Sequence, residues 1–419
     1  MSRPPKKQQE KRPRLTWRQW RFEPWDTWFF KPAEPWDAPG AHGAETLFPP
    51  LARTVAGAIR HAMGEHMHYD WGDLTPADGG MSLRARRSGV EAEKESIEKA
   101  FEHMRMMGPY VLRDGERLYP TPEAFILGED KEDGKLVLAW LYPDRGATVR
   151  TDLGCVMLPQ CGADLRHMES VSGTWITTHG MNEFLRGAVV DHKELVRLKD
   201  IVALEPRIGI EINKKTRTAE ATRLVNTVHA RLRDGIEVAA RVSGFSGGPN
   251  QGNVHFGGEG RMASFHAVDE IGDPPGACCT PDPTKKDNRI TITFVTAAAF
   301  GGDWRDSRWT RNWAYETASN GADGWVLNLL NDITVLVECA CVPPYVYEGG
   351  YEAASGEDRA VHALLPAGSV WFCEVLAWRR AGCDATVFDL NDLITRLHGK
   401  QLGSERELGR GEIAVGFWR

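Results

Sequence analysis

The sequence lacks several features that would place it in a common class. Its 419 residues contain no run of about 18 apolar residues, so we expect no membrane-spanning helix. No GxGxxG or GxxxxGK[ST] pattern is complete, which leaves a nucleotide-binding fold without support. The first segment, "MSRPPKKQQEKRPRL", has no apolar core. We therefore expect a disordered basic arm over residues 1–16 rather than a signal peptide.

The eight cysteines include no CxxC pair. This usage excludes a small disulfide framework and suits a reducing, cytoplasmic environment. Cys339 and Cys341 would lie on one face of a strand, and Cys278 and Cys279 are adjacent in a proline-rich loop. A zinc site is one interpretation of these residues. Buried free thiols are the favoured one.

Two further short patterns resemble parts of catalytic motifs. "GGDW" at Gly301 contains half of the Gly-Gly-Asp-Asp turn of nucleotide cyclases, but a tryptophan replaces the second aspartate. His61, His66 and His68 lie close together, and we favour solvated or RNA-contacting side chains over a metal site. The sequence therefore predicts no catalytic centre, no metal site and no cofactor.

Length and charge indicate the general type of protein. The chain is long enough for two domains, and 42% hydrophobic and 26% charged residues are ordinary values for a globular protein. A formal net charge of −7 argues against a protein that coats duplex nucleic acid over its whole surface. One basic groove in an acidic body is still compatible with that charge.

Hydrophobic periodicity predicts an α+β protein in which strands and helices alternate. Apolar residues at helical spacing predict helices over Leu51–Gly64, Glu93–Met107 (ended by Gly108 and Pro109) and Leu390–Gly399. Alternating residues predict strands over Arg18–Pro24, Lys135–Pro143, Arg207–Asn213, Ala221–Leu232, Gly235–Gly244, Arg289–Phe300, Asp332–Val342 and Pro366–Leu376. This order predicts two βαββαβ units, over residues 17–268 and 289–419, joined by a linker over residues 269–288.

Two segments carry basic residues in a pattern that suits a polyanion. Arg53, Gly57 and Arg60 share the face of the first helix opposite its apolar stripe, where a polymer backbone could lie against the glycine. A plain solvated face is the alternative. The predicted hairpin tip between the two central strands is also basic, and we expect it to project from the body; its residues are Lys214, Lys215 and Arg217, followed by Arg223.

The stretch "NVHFGGEGRMASFHAV" places three glycines and an arginine between two short alternating segments. Glycine in such a place marks a turn with positive φ or a close approach of another backbone. Gly257, Gly258 and Gly260 therefore predict either an ordinary hairpin turn or a loop that a ligand backbone approaches closely.

Six segments together resemble the third subunit of Cmr complexes, the type III-B CRISPR effectors. They are "FEPWDTWFFKPAEPWDAPGA", "FPPLARTVAGAIRHAM", "MGPYVLRDGERLYPTP", "RIGIEINKKTRTAEATRLVNTVHARL", "FGGEGRMA" and "ALLPAGSVWFCEV". The resemblance runs from Trp20 to the C-terminus in the family's order. It departs at Lys31, Pro32 and Ala33, where the family usually has Arg-Asp-Gly, although Lys31 keeps a positive charge.

The resemblance implies a repeat-associated RNA-binding (RAMP) protein of two ferredoxin-like, RRM-related domains with long insertions, a β-hairpin thumb and a glycine-rich loop. It implies a non-catalytic subunit that holds the 5′ repeat-derived tag of the guide RNA (crRNA). Its partners would be the large polymerase/cyclase-type subunit and a neighbouring backbone RAMP subunit. The RNA-binding residues we expect are Lys31, His42, Arg53, Gly57, Arg60, Lys214, Lys215, Arg217, Arg223, His255, Gly257, Gly258, Glu259, Gly260 and Arg261.

Two other functions stay open at this point. A metal-independent endoribonuclease of the same superfamily would need a histidine as general base, and His42, His61 and His255 are candidates that spacing does not separate. A generic two-domain enzyme acting on a small molecule would have no affinity for RNA.

Overall fold

The computed structural model describes most of the chain, with gaps at both ends and in several insertions. The described residues are 17–33, 44–68, 74–75, 84–85, 101, 103–151, 154–212, 219–244, 247–270, 288–300, 314–317, 323–352, 357–380, 383–385 and 389–417. The basic arm and most of the predicted linker lie outside these ranges. None of the helices in the described ranges is long and apolar enough to cross a bilayer.

Strands dominate the described residues, and both strands and helices are numbered in chain order. In the first half the strands are β1 (Trp17–Pro24), β2 (Ala44–Glu45), β3 (Leu74–Thr75), β4 (Arg84–Ala85), β5 (Arg105–Arg113), β6 (Glu116–Pro120), β7 (Phe125–Asp130), β8 (Leu136–Thr151), β9 (Gly154–Cys161), β10 (Leu165–Ser170), β11 (Trp175–Ile176), β12 (Leu195–Val196), β13 (Val202–Ile212), β14 (Ala219–Leu232), β15 (Ile236–Ser243), β16 (Gln251–His255) and β17 (Met262–Glu270). In the second half they are β18 (Arg289–Phe294), β19 (Ala314–Thr317), β20 (Asp323–Leu329), β21 (Ile333–Cys341), β22 (Val346–Glu348), β23 (Tyr351–Glu352), β24 (Glu357–Asp358), β25 (His362–Leu364), β26 (Val370–Arg380), β27 (Cys383–Ala385), β28 (Leu408–Gly409) and β29 (Ile413–Phe417). The helices are α1 (Ala52–His66), α2 (Thr178–Leu185) and α3 (Leu390–Leu397).

The first half is built on a large sheet with the order β12-β11-β6-β5-β15-β1-β17-β16. Alternate residues of β1 point into the core, so Trp20 and Phe22 are buried while their neighbours are less so. The apolar stripe of α1 covers this side of the sheet through Val55, Ile59 and Met63. β28, from the far end of the chain, pairs parallel with β5 and ties the two halves together.

The second half repeats the arrangement around a sheet with the order β19-β20-β21-β26-β18-β29. Its helix α3 buries Leu393 and Leu397 against the same cluster as Ile292 and Val415 of the sheet. The central strands of the first sheet are, in chain order, β1, β5, β15 and β17, and those of the second sheet are β18, β21, β26 and β29. In each sheet they lie side by side as second, third, first, fourth, all antiparallel.

The predicted central hairpin is present and longer than expected. β13 and β14 pair antiparallel from Val202↔Leu232 out to Ile212↔Ala219. We call these two strands the hairpin. Short β2 adds a parallel third strand at its base, so the hairpin is anchored to the body at that end.

The predicted end of the second helix is wrong. The helix was expected to continue to Met107 and stop at Gly108 and Pro109, but β5 begins at Arg105 and contains both residues. Gly108 has a φ of +107°, and a Cβ there would lie 3.2 Å from the carbonyl oxygen of Ala239 on the adjacent strand. This pair therefore marks close strand packing rather than a helix end. Most of the remaining predicted helix lies outside the described residues.

Buried polar contacts join the two halves. The Tyr110 hydroxyl donates to Glu412 at 2.5 Å, and Arg117 donates to the same carboxylate at 3.0 Å. Burial raises the pKa of Tyr110 well above its usual value, and the Glu412 charge raises it further. A cavity of about 320 Å³ beside these residues is lined mostly by apolar side chains, including Phe48 and Trp175.

Candidate nucleic-acid interface

The glycine stretch forms the connection between β16 and β17, and we call Phe256–Arg261 the glycine loop. Phe256 donates its amide to the Arg261 carbonyl at 2.8 Å, and the Arg261 amide donates to the Gly258 carbonyl at 3.2 Å. Glu259 and Gly260 both have positive φ, +53° and +65°. This is the sign pattern of a type I′ turn, where Asn or Gly is usual at the first position. A glutamate at position 259 is therefore unfavourable for this backbone conformation, and its presence requires another explanation.

The backbone that approaches the glycines belongs to this chain. A Cβ on Gly257 would lie 2.6 Å from the Phe29 carbonyl oxygen, and Gly257 has a φ of +93°. The Gly258 amide donates to that same oxygen at 2.8 Å. One side of the loop thus packs against the segment that follows β1. By contrast, nothing lies within 4 Å of a Cβ built on Gly260.

Three amides of the exposed loop make no hydrogen bond to the described part of the chain. They are the amides of Gly257, Glu259 and Gly260. Successive amides in such a turn form a small concavity that binds anions. Three of the four residues from Gly257 to Gly260 therefore present amides that a phosphate oxygen can accept from.

A cluster of three acids and three arginines surrounds the loop. We call it the ion cluster; its members are Asp26, Glu205, Arg207, Arg231, Glu259 and Arg261. Asp26 lies 2.7 Å from Arg207, 2.6 Å from Arg231 and 3.7 Å from Arg261. Hydrogen bonds from Arg207 and Arg231 lower the pKa of Asp26 to about 2. One aspartate thus links the segment after β1, both strands of the hairpin and the glycine loop.

Sequence reasoning missed this cluster, although a signal for it was present. Glu205 and Arg207 alternate on β13, and Arg231 lies on the same face of β14. Charged residues two apart on paired strands indicate a polar face with cross-strand ion pairs. Asp26, which completes the cluster, could not be found this way because it is far away in sequence.

A buried histidine lies beneath the loop. His229 is fully buried on β14, and its Nε2 lies 3.2 Å from a carboxylate oxygen of Glu259. Its Nδ1 lies 3.2 Å from the hydroxyl of Thr27, and the Phe29 ring stacks on the imidazole at 5.2 Å. Burial lowers the pKa of His229, and the charge of Arg261 lowers it further.

The basic residues predicted on α1 have an arrangement that the sequence did not suggest. Arg53 donates to Glu348 at 3.2 Å and to Glu405 at 2.8 Å, so it joins the two halves of the protein. Gly57 is exposed with open space at its Cβ position. Arg60 is half-buried, and burial lowers its pKa. Whether these residues contact RNA stays a prediction.

The other predicted residues are scattered along the surface or lie outside the described ranges. Lys31 is exposed, two residues beyond the Phe29 carbonyl that meets the loop. His42 and the tip residues Lys214, Lys215 and Arg217 lie outside the described residues. Arg223 belongs to β14, but its side chain is not described.

Two predicted histidines come together. The rings of His61 on α1 and His255 at the end of β16 lie 6.5 Å apart, next to the glycine loop. No group of three or more His, Cys, Asp or Glu residues in the described ranges could hold a metal ion. Spacing along the chain could not single out this pair from the third candidate, His42.

The described cysteines are free thiols rather than partners of one another. Cys339, Cys341 and Cys373 are buried in the second half. Burial raises the pKa of Cys339 to about 12 and also raises those of Cys341 and Cys373. The favoured interpretation of Cys339 and Cys341 as buried thiols agrees with these positions, whereas Cys278 and Cys279 lie outside the described residues.

Comparisons with known proteins cover nearly the whole chain. A family model for a CRISPR-associated protein (Cas_Cmr3) matches residues 20–418. Among solved structures, the chain is similar to a chain of the type III-B Cmr-β complex bound to cognate target RNA and AMPPnP, at 14% identity. That match covers 84% of this chain and 86% of the other, with a TM-score of 0.43. A chain of the Csm3–Csm4 subcomplex of the type III-A interference complex is similar at 10% identity, with 84% and 92% covered and a TM-score of 0.34.

No curated protein matches the chain. The family model alone covers far more than half of the sequence, and its span includes both sheets, the hairpin and the glycine loop. The chain therefore belongs to the Cmr3 family of CRISPR-associated proteins and is a Cmr subunit of the type III-B CRISPR system.

Proposed function

We propose that this protein is a non-catalytic RNA-binding subunit that holds the 5′ repeat-derived tag of the crRNA in a type III-B effector complex. In this role it docks to the large polymerase/cyclase-type subunit and serves antiviral defence. The observation that carries the proposal is the family match over residues 20–418. The geometry of the glycine loop supplies the contact.

The glycine loop suits a phosphate backbone rather than a base. Its free amides at Gly257, Glu259 and Gly260 are main-chain donors, which carry no preference for one base. Nothing lies within 4 Å of a Cβ built on Gly260, so no neighbouring side chain blocks the approach of a phosphate there. Arg261 at the end of the loop has 22% of its side chain exposed, and its charge is shared between Asp26 at 3.7 Å, Glu259 at 3.9 Å and any phosphate that reaches the loop.

The fold supports two RRM-related units. Both sheets repeat the second-third-first-fourth strand order, which is the order that a βαββαβ chain produces in a ferredoxin-like sheet. α1 lies between the first and second strands of its unit, and α3 lies between the third and fourth strands of its unit. A two-unit RAMP protein with a hairpin inserted in the first unit accounts for this organisation.

Exposed apolar residues support docking to other subunits. Leu204 and Ile208 lie on the face of the hairpin opposite the ion cluster and are 47% and 72% exposed. A neighbouring backbone subunit would cover this face, while the basic tip marks the boundary between tag and guide. Tyr345 and Tyr347, at 58% and 57% exposed, form a second patch for the large subunit, because tyrosine is enriched in interfaces.

The experiment is an RNA-binding and cleavage assay with the full chain. A labelled single-stranded RNA carrying the repeat-derived 5′ sequence should bind more tightly than a scrambled RNA of equal length. The RNA should stay intact in the presence of EDTA. Equal affinity for both RNAs would refute the function in tag binding.

The histidine pair favours a second candidate, a metal-independent endoribonuclease. Two imidazoles 6.5 Å apart beside a phosphate-binding loop can act as general base and general acid. The same assay separates the two functions, because specific cleavage in EDTA, lost in His61→Ala and His255→Ala, would establish the nuclease. His66→Ala is the matched control, since His66 lies at the end of α1 outside this pair.

A further inference from the structure

His229 is a fully buried titratable side chain that the proposed RNA contact does not use directly. It lies on β14 at the base of the hairpin, and its imidazole touches three elements: the segment after β1 through Thr27 and Phe29, its own strand through Thr227, and the glycine loop through Glu259. A buried polar group with this many partners is specifically oriented.

The contact with Glu259 favours one tautomer of the imidazole. A carboxylate only accepts hydrogen bonds, so the Glu259 oxygen 3.2 Å from Nε2 favours the tautomer with the proton on Nε2, and the Thr227 hydroxyl, 3.1 Å from the same nitrogen, can accept from that N–H as well. Burial favours the neutral ring, which leaves Nδ1 as an acceptor for the Thr27 hydroxyl at 3.2 Å. In that tautomer the Thr27 hydroxyl donates to Nδ1.

Glu259 is otherwise a poor residue for this position. Its φ of +53° is strained for a residue other than Gly, Asn or Asp, and its carboxylate is 40% exposed at the loop that presents amides to phosphate. An unrestrained carboxylate would repel RNA at this place. The His229 contact at 3.2 Å holds the negative charge on the hairpin side of the loop instead, and it is shorter than the 3.9 Å contact of the same carboxylate with Arg261.

We infer that His229 is a positioning residue that holds the Glu259 carboxylate against the base of the hairpin, out of the path of RNA phosphates, and so links the hairpin to the RNA-binding state of the glycine loop. This inference rests on the proposed function of the loop. It assigns Glu259 the role of a tethered charge rather than an RNA ligand.

The test compares binding of the tag RNA by full-length variants. His229→Leu keeps the volume but removes the donor, so the freed carboxylate should weaken binding about tenfold, the effect of one like-charge contact at about 10 Å near a protein surface. His229→Gln keeps an N–H donor and should bind within about twofold of the wild type, since the carboxylate stays held. Glu259→Gln in the His229→Leu background should restore the affinity, because no charge is left to repel. Glu205→Gln, another acid of the ion cluster, is the matched control and should not restore it.

Salt provides a second readout that misfolding would not reproduce. The His229→Leu defect should shrink between about 0.05 M and about 0.5 M salt, because an exposed charge–charge repulsion is screened. If the binding defect of His229→Leu persists when Glu259→Gln is added, or persists at high salt, the inference is overturned while the proposed function of the loop stands. Undiminished binding by His229→Leu would overturn it as well. If the wild type does not prefer the tag RNA over the scrambled one, the proposed function fails and the inference with it.

Discussion

Gly257→Ala should loosen the glycine loop far more than Gly260→Ala does. Both glycines have positive φ, so an alanine at either costs about 1–2 kcal/mol of backbone strain. Only at Gly257 does the new methyl group meet another backbone, 2.6 Å from the Phe29 carbonyl oxygen. That overpacking adds about 1–3 kcal/mol. Gly260→Ala is the matched control because nothing lies within 4 Å of its Cβ position.

Hydrogen exchange at the Gly258 amide measures this difference directly. This amide donates to the Phe29 carbonyl, so its protection reports the contact that the new methyl group disturbs. The added overpacking corresponds to about 5- to 150-fold faster exchange in Gly257→Ala than in Gly260→Ala. Equal exchange in the two variants would refute the claim that a close approach of the chain's own backbone requires glycine at position 257.

Three further substitutions test the polar contacts. Arg53→Met should lower the free energy of unfolding by about 1–3 kcal/mol in urea titrations. This is less than the roughly 3–5 kcal/mol lost when a buried charge is left without any partner, because Arg410 still neutralises the same carboxylates. An unchanged free energy of unfolding would show that Arg53 does not join the two halves. Tyr110→Phe removes a hydrogen bond to the ionised Glu412 and should cost about 1.5–3 kcal/mol in the same titration, whereas an unchanged midpoint would contradict that bond. Asp26 has a folded pKa of about 2 against a usual 3.8, so its stabilising effect is present above about pH 3.8 and is lost as the pH falls through about 2. Asp26→Asn should therefore lower the unfolding midpoint at neutral pH and show a smaller further loss on acidification, and parallel pH profiles of the two proteins would contradict this.

Local patterns made much of the fold predictable. β1, α1 and α3 were predicted within two residues of their bounds, because alternation and helical spacing record which side chains face a core. The hairpin was predicted as well, but its first strand begins at Val202 rather than Arg207. The predicted second helix failed at its end for a local reason as well. Gly108 and Pro109 usually end helices, and the sequence could not show that Ala239 packs against them inside a sheet.

The candidate interface was predictable only in part. The glycine stretch predicted either an ordinary hairpin turn or a loop that a ligand backbone approaches. It connects β16 to β17, and the backbone that approaches Gly257 is that of Phe29, more than 200 residues earlier. Arg53 looked like a free cation because its acidic partner Glu348 lies 295 residues away. Long-range pairs of this kind leave no trace in spacing, and the partner of His229 in the glycine loop is a third case.

Photo-crosslinking in the assembled complex tests the central claim most directly. The complex would carry crRNA with a photoreactive uridine in the repeat-derived tag or, as the control, in the guide region. Mass spectrometry would then locate the crosslinked peptides. The account predicts that the tag probe crosslinks to peptides that contain Phe256–Arg261 and the guide probe does not. Crosslinks from the tag that fall only on other subunits would contradict it.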